Sequence, residues 1–176
     1  MKFHPLRLQG AFLIEPEPIA DERGCFARTF CRAEFQSKGL DPHLEQCSIS
    51  FNHKKGTLRG MHFQRAPHGE AKLVRCTQGK IYDVIIDLRE DSPTYKCWEG
   101  VILSRENRHM LFIPEGFAHG FQTLEDDTEV FYQISSTFVP SHAAGVRWND
   151  STFAITWPLE VSVISAKDQQ YPNLLA

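Results

Sequence analysis

Two short stretches of the 176-residue chain concentrate side chains able to move protons or hold a ligand. The first reads Gly56-Thr57-Leu58-Arg59-Gly60-Met61-His62-Phe63-Gln64. The second reads Phe112-Ile113-Pro114-Glu115-Gly116-Phe117-Ala118-His119-Gly120-Phe121. Imidazole titrates near neutral pH and is also the commonest metal ligand, so His62 and His119 pose a choice between acid–base and metal chemistry. A metal would draw on His62, His68, Glu70 and His119. On a strand His62 and Gln64 share a face, which puts an amide where a second imidazole would complete a ligand pair. An amide is a poor transition-metal ligand, and His68 and Glu70 fall in a Pro-Gly stretch that reads as a loop. Metal binding is therefore the weaker reading. Arg59, Gln64, Lys72, Asp83 and Tyr132 stand near the histidines on otherwise apolar segments. Buried polar groups need partners, so the set is either a self-satisfied structural network or the lining of a polar ligand site.

Short strands must position these residues. Lys80–Leu88 shows the pattern best. Tyr82, Val84, Ile86 and Leu88 share one face by period two, while Ile81, Asp83, Ile85 and Asp87 make a mixed face suited to a barrel interior. Lys72–Cys76, Gly100–Leu103, His109–Ile113 and Glu129–Ser135 also read as strands, separated by turn residues. Helix is expected only over Arg32–Lys38, with a short turn after Ser165. Many short strands and few helices predict an all-β barrel or jelly roll able to hold one ligand. One domain spanning 1–176 is expected, since the length suits a single core and no linker or repeat interrupts it.

Composition narrows the function. A formal charge of −3 gives no broad basic field for nucleic acid, so any anion site must be local. No apolar stretch is long enough for a membrane helix, and the first fifteen residues lack signal-peptide order. The five cysteines are odd in number, and none form C-x-x-C. They read as free thiols in a reducing, cytoplasmic setting.

Pro114-x-Gly116-x-x-His119 is similar to half of the cupin signature. Gly56–Gln64, Lys72-Leu73-Val74-Arg75-Cys76, Ile81–Val84 and Asp87-Leu88-Arg89 resemble the nucleotide-sugar 3,5-epimerases of rhamnose biosynthesis. Asp21–Gly24, Ser92-Pro93-Thr94, Ile113–Phe121, Trp148-Asn149-Asp150, Trp157-Pro158 and Ser165-Ala166-Lys167-Asp168 extend the likeness over nearly the whole chain. The resemblance implies a cupin-type jelly roll that epimerises a nucleotide-linked 4-keto-6-deoxy hexose without metal or other cofactor. His62 would be the base and Asp168 its partner, Lys72 would stabilise the enolate with His119 nearby, and Tyr132 would be the acid. Arg59 and Lys167 would hold the diphosphate, with Gln46 and Phe138 lining the substrate site. Arg23 and Phe26 would cross into the neighbour's site in a homodimer, and surface-polysaccharide assembly would be the setting.

The chain also departs from the family pattern. Phe138 stands where a second tyrosine is common, and Gln133 replaces a lysine after Tyr132. Both changes alter the face to which protons return. Arg28 occupies the place of a glutamate that accepts the thymine N–H, and an arginine can only donate. Ser48 replaces an asparagine near Gln46. An epimerase acting at one carbon of a CDP- or GDP-sugar is the alternative reading, and a metal-dependent cupin enzyme is a further one.

Overall fold

The computed structural model describes residues 1–41 and 43–174. Strands β1 (Lys2–Pro5), β2 (Phe12–Glu15), β3 (Ile19–Asp21) and β4 (Gly24–Phe26) precede helix α1 (Arg32–Ser37). The central strands are β5 (Gln46–Asn52), β6 (Thr57–Gln64), β7 (Lys72–Gln78), β8 (Lys80–Asp87), β9 (Trp98–Ser104), β10 (Met110–Ile113), β11 (Phe117–Thr123) and β12 (Thr128–Ile134). Strands β13 (Ala143–Gly145) and β14 (Val163–Ile164) and the single-turn helix α2 (Ala166–Gln169) complete the order. The strands and helices expected from the sequence are all present, with bounds within two residues of the expected ones.

Two sheets pack face to face. One runs β1-β2-β10-β7-β12-β5 and the other β13-β6-β11-β8-β9, with β14 added parallel to the start of β6. The strands β3 and β4 form a separate hairpin. Among the described residues the ladders stay as separate sheets rather than one closed ring, the open arrangement of a cupin-type jelly roll.

Burial follows from strand alternation. Ile81 and Ile85 of β8 enter the space between the sheets, where they meet Val74, Leu111, Phe121 and Val130. The opposite face of β8 is buried as well. Val84 and Ile86 pack on Met61, Ala118, Val146 and Phe153, with Trp157 closing over them. The C-terminal third of the chain thus covers the outside of the second sheet. A third cluster seats Phe35 of α1 against Ile14, Met110 and Phe112 on the outer face of the first sheet.

The interior face of β8 carries two fully buried carboxylates, as its mixed pattern requires. Asp87 receives bonds from Arg89 Nε at 2.9 Å, Arg89 Nη2 at 2.7 Å, Ser92 Oγ at 2.5 Å and Thr94 Oγ1 at 2.7 Å. Burial alone would raise this carboxyl's pKa. The arginine and the two hydroxyls outweigh burial and bring it from 3.8 down to about 2.

One irregularity in β6 decides which side chains face inward. Across the β6–β11 ladder His119 opposes His62 and Phe121 opposes Arg59. Three steps on β6 therefore match two on β11, which is a β-bulge. A bulge shifts side-chain alternation by one. Arg59, His62 and Gln64 consequently reach the same cavity, while Met61 packs outside with Val84. Glycines make the bulge possible. Gly60 has a φ of +131°, and a Cβ there would sit 2.6 Å from the Gly120 Cα. The two backbones touch where any side chain would part them.

Two outcomes follow for stability. Gly60→Ala should cost about 3 kcal/mol in denaturant titration, from positive-φ strain plus a backbone clash; an unchanged midpoint would refute the close approach. Asp87 has a depressed folded pKa, so its contribution is full above pH ~4 and fades as pH falls towards 2. It amounts to about 2 kcal/mol. Asp87→Asn should lose that increment at pH 7 and show a flatter acid limb in thermal melts.

Candidate active site

A cavity of about 550 Å³ opens between the sheets near one end. Its walls come from β5, β6, β7, β11 and β12, with the loop after β12 and the C-terminal segment at the mouth. Every catalytic candidate except Asp168 lines it: His62, Lys72 and Tyr132. Asp168 stands directly behind His62, its Oδ1 2.7 Å from the ring Nε2.

The approach of Asp168 has a local cause. Ser165 caps the one-turn helix α2, its Oγ accepting the Asp168 N–H at 3.0 Å. Parallel pairing of Val163 and Ile164 with Thr57 and Leu58 lays the chain along β6 just before this turn. The carboxylate's second oxygen then accepts the Gly60 N–H at 3.3 Å. Burial of Asp168 works against its charge, but the bonds from His62, Gly60 and Ser165 overcome it and hold the carboxyl below its ordinary value. The buried group is therefore an anion, and it faces an imidazole that is 42% exposed to the cavity. With Nε2–H donated to Asp168, Nδ1 keeps its lone pair.

Lys72 is almost fully enclosed, and its Nζ lies 3.0 Å from Glu70 Oε1. His119 is buried across the cavity, with Nε2 2.6 Å from Asp83 Oδ1 and its ring edge-on to Tyr132 at 6.0 Å. The other oxygen of Asp83 is buried and lacks a hydrogen-bond partner among the described residues. Burial, and to a lesser degree the Asp83 charge, push the Tyr132 phenol well above its usual pKa. That phenol stays protonated throughout the working pH range.

The binding candidates divide into two groups. Arg59, His119, Gln46, Lys167 and Phe138 all line the cavity. Arg59 is steadied by Asn52 Oδ1, which accepts from its Nε at 2.7 Å. Arg23, Phe26 and Arg28 do not reach it within the chain. Arg23 pairs with Asp21 in the β3–β4 turn, and Arg28 pairs with Glu34 at 3.1 Å beside Phe26 in a separate hollow.

The four possible metal donors are drawn into different contacts. His62 pairs with Asp168, His119 with Asp83 and Glu70 with Lys72, while the His68 ring packs against His142 at 4.3 Å. Among the described residues no group of three or more such side chains is assembled for an ion. Gln64 accounts for its own position differently: its amide bonds two other segments of chain, one at His68 and Glu70 and one at Thr137 and Val139.

Among the cavity residues given no catalytic or substrate-binding role by the sequence are Ser50, Glu70 and Tyr171. Ser50 was accessible from the alternation Gln46, Ser48, Ser50 along β5. Glu70 was weighed only as a metal donor. Tyr171 offered no signal. Its ring meets His62 edge-on at 5.7 Å, filling space left by Gly145, where a Cβ would lie 2.6 Å from the tyrosine ring.

Comparison with known proteins gives a consistent result. A sequence model of the dTDP-4-dehydrorhamnose 3,5-epimerase family matches residues 5–175. The chain is 46% identical over 177 residues to the dTDP-4-dehydrorhamnose 3,5-epimerase of Methanothermobacter thermautotrophicus, covering 98% of this chain and 94% of that protein. It is 38% identical to the dTDP-4-dehydrorhamnose 3-epimerase of Streptomyces niveus, over 96% of this chain and 82% of the relative. The crystal structure of the Bacillus anthracis 3,5-epimerase with TDP and PPi bound superposes with a TM-score of 0.95 at 41% identity, covering 98% and 99% of the two chains. From this agreement of sequence, fold and extent, the chain belongs to the dTDP-4-dehydrorhamnose 3,5-epimerase family.

Proposed function

We propose that this protein epimerises a nucleotide-linked 4-keto-6-deoxy hexose at carbon 3, carbon 5 or both, with His62 as the base. The observation that carries this reading is the 2.7 Å contact between His62 and the buried Asp168 anion, at the wall of a cavity that also holds Lys72 and Tyr132. The carbons flanking a ketone lose protons readily because the electron pair delocalises onto oxygen. His62 Nδ1 takes the proton, and Asp168 holds the tautomer and supports the imidazolium. The electron pair moves to the 4-keto oxygen, where the Lys72 ammonium faces the developing charge. Tyr132 then donates its phenolic proton to the opposite face of the same carbon, which inverts it. The phenolate recovers a proton from solvent, His62 releases the one it took, and no atoms are gained or lost.

Arg59 and Lys167 supply cations at the cavity for the diphosphate. The nucleotide is read as thymidine diphosphate from the names of the relatives. A single-carbon reading is favoured by Phe138, which is 53% exposed at the cavity and brings no hydroxyl. The 3-epimerase among the relatives supports that alternative. Five free thiols suit a cytoplasmic protein, and residues 1–176 are read as one domain.

A homodimer is also proposed. Ile49 and Phe51 on the outer face of edge strand β5 are 64% and 41% exposed, and Ile19 and Phe26 on the β3–β4 hairpin are each 75% exposed. Apolar surface grouped in this way marks an interaction site, here for a second copy that receives Arg23 and Phe26 at its cavity.

Proton NMR in heavy water with the dTDP, CDP and GDP forms of the keto sugar tests the reaction. Deuterium should enter carbon 3, carbon 5 or both, and no exchange with any form would defeat the reading. His62→Ala should slow exchange by about 10³-fold, and Asp168→Asn by about 10²- to 10⁴-fold, with the fold retained. For the dimer, light scattering should show two chains per particle. Ile49→Asp together with Phe26→Asp should give monomers with lost activity, whereas a monomeric, active parent would refute the arrangement.

A further inference from the structure

The proposed mechanism leaves Gln64 and Glu70 without a task, although both lie in the cavity wall. Gln64 is 5% exposed and saturates its amide. Its Oε1 accepts the Val139 N–H at 2.7 Å. Since that backbone group can only donate, the amide orientation is fixed. Nε2 must then point the other way. Its two hydrogens are shared among three acceptors, the carbonyls of His68 at 3.0 Å and Thr137 at 3.2 Å and Glu70 Oε2 at 3.1 Å.

Glu70 is thereby held by one oxygen, and its other oxygen meets Lys72 Nζ at 3.0 Å. The two side chains are 10% and 9% exposed. Among the described residues Glu70 is the one carboxylate paired with this lysine. A lysine stem has four rotatable bonds and no preferred aim. Electrostatic stabilisation of an oxyanion requires a charge fixed before reaction. The stem alone does not meet that requirement; the carboxylate does.

We propose that Glu70, locked by Gln64, is the positioning residue that aims the Lys72 ammonium at the keto oxygen. This inference rests on the role given to Lys72 in the proposed function. It also ties the electrophile to the cavity mouth. Thr137 and Val139 flank Phe138, so the amide that anchors Glu70 also sets the backbone carrying the aromatic wall. A purely structural salt bridge would support folding and affect catalysis only through stability.

The test is a double-mutant cycle on heavy-water exchange, with kcat and KM measured separately and slow variants followed for days. Glu70→Gln keeps an oxygen for Gln64 but removes the charge that holds Lys72. It should lower kcat by about 10- to 100-fold, with KM within about 3-fold and an unchanged melting temperature. In a Lys72→Met background the same change should cost less than about 2-fold, because its target is gone. An equal loss in both backgrounds, or a rise in KM with kcat intact, would overturn the inference while leaving the epimerase reading in place. Absence of exchange in the parent protein would instead defeat the epimerase reading and this inference with it. Parental exchange with Lys72→Met fully active would remove the lysine's role and the inference alone.

Discussion

A buried carboxylate must be met by hydrogen-bond donors, and the structure depends on how Asp168 meets that demand. It lies at the C-terminal end of the chain, 106 residues from the histidine it bonds. A carboxylate so enclosed would protonate unless partnered. His62, the Gly60 N–H and the Ser165 turn supply the partners. The contact links the last element to the sixth strand, so the C-terminal segment backs the cavity wall that carries His62. It also sets the imidazole's direction, with one nitrogen committed to the carboxylate and the other facing the cavity.

That geometry is available only because β6 is irregular. A regular strand would turn Arg59 away from the cavity that His62 and Gln64 line. The bulge against β11 brings all three to one side, and the Gly60–Gly120 contact is the steric condition for it. Charge is organised on the same principle throughout the site. His62 leans on Asp168, His119 on Asp83, and Lys72 on Glu70. Each of these three side chains thus has a carboxylate beside it, whereas Arg59 is held by the neutral Asn52 amide. Pairing of this kind lowers the cost of burying ionisable groups and fixes where they point.

Much of this was legible in the sequence because strand alternation is a local signal. The period-two pattern of Lys80–Leu88 disclosed a strand with two unlike faces, and the buried Asp83 and Asp87 confirm its mixed side. The candidate roles of His62, Lys72, Tyr132 and Asp168 come from family resemblance alone, since neither spacing nor periodicity brings Asp168 to His62. The bulge was not legible, because Gly60 reads as an ordinary strand glycine until Gly120 is seen against it. Tyr171 was missed for a similar reason: its place depends on the space above Gly145. Glu70 reads as a possible metal donor because two histidines lie near it in sequence, whereas in space its ionic partner is Lys72. The residues around Arg23 raise a different issue. Within one chain they stand apart from the cavity that holds His62, with Phe26 and Arg28 lining a separate hollow, and the role expected for them requires a second copy.

The central proposal is that Asp168 holds Nε2 of His62 and so leaves Nδ1 facing the substrate as the proton acceptor. Nitrogen NMR of histidine-labelled protein reads that arrangement directly, with the ring assigned through His62→Ala. The expected spectrum at neutral pH has a protonated Nε2 bonded to the carboxylate and a bare Nδ1, a tautomer lost in Asp168→Asn. A proton resident on Nδ1 in the resting enzyme, or a spectrum indifferent to Asp168, would contradict it.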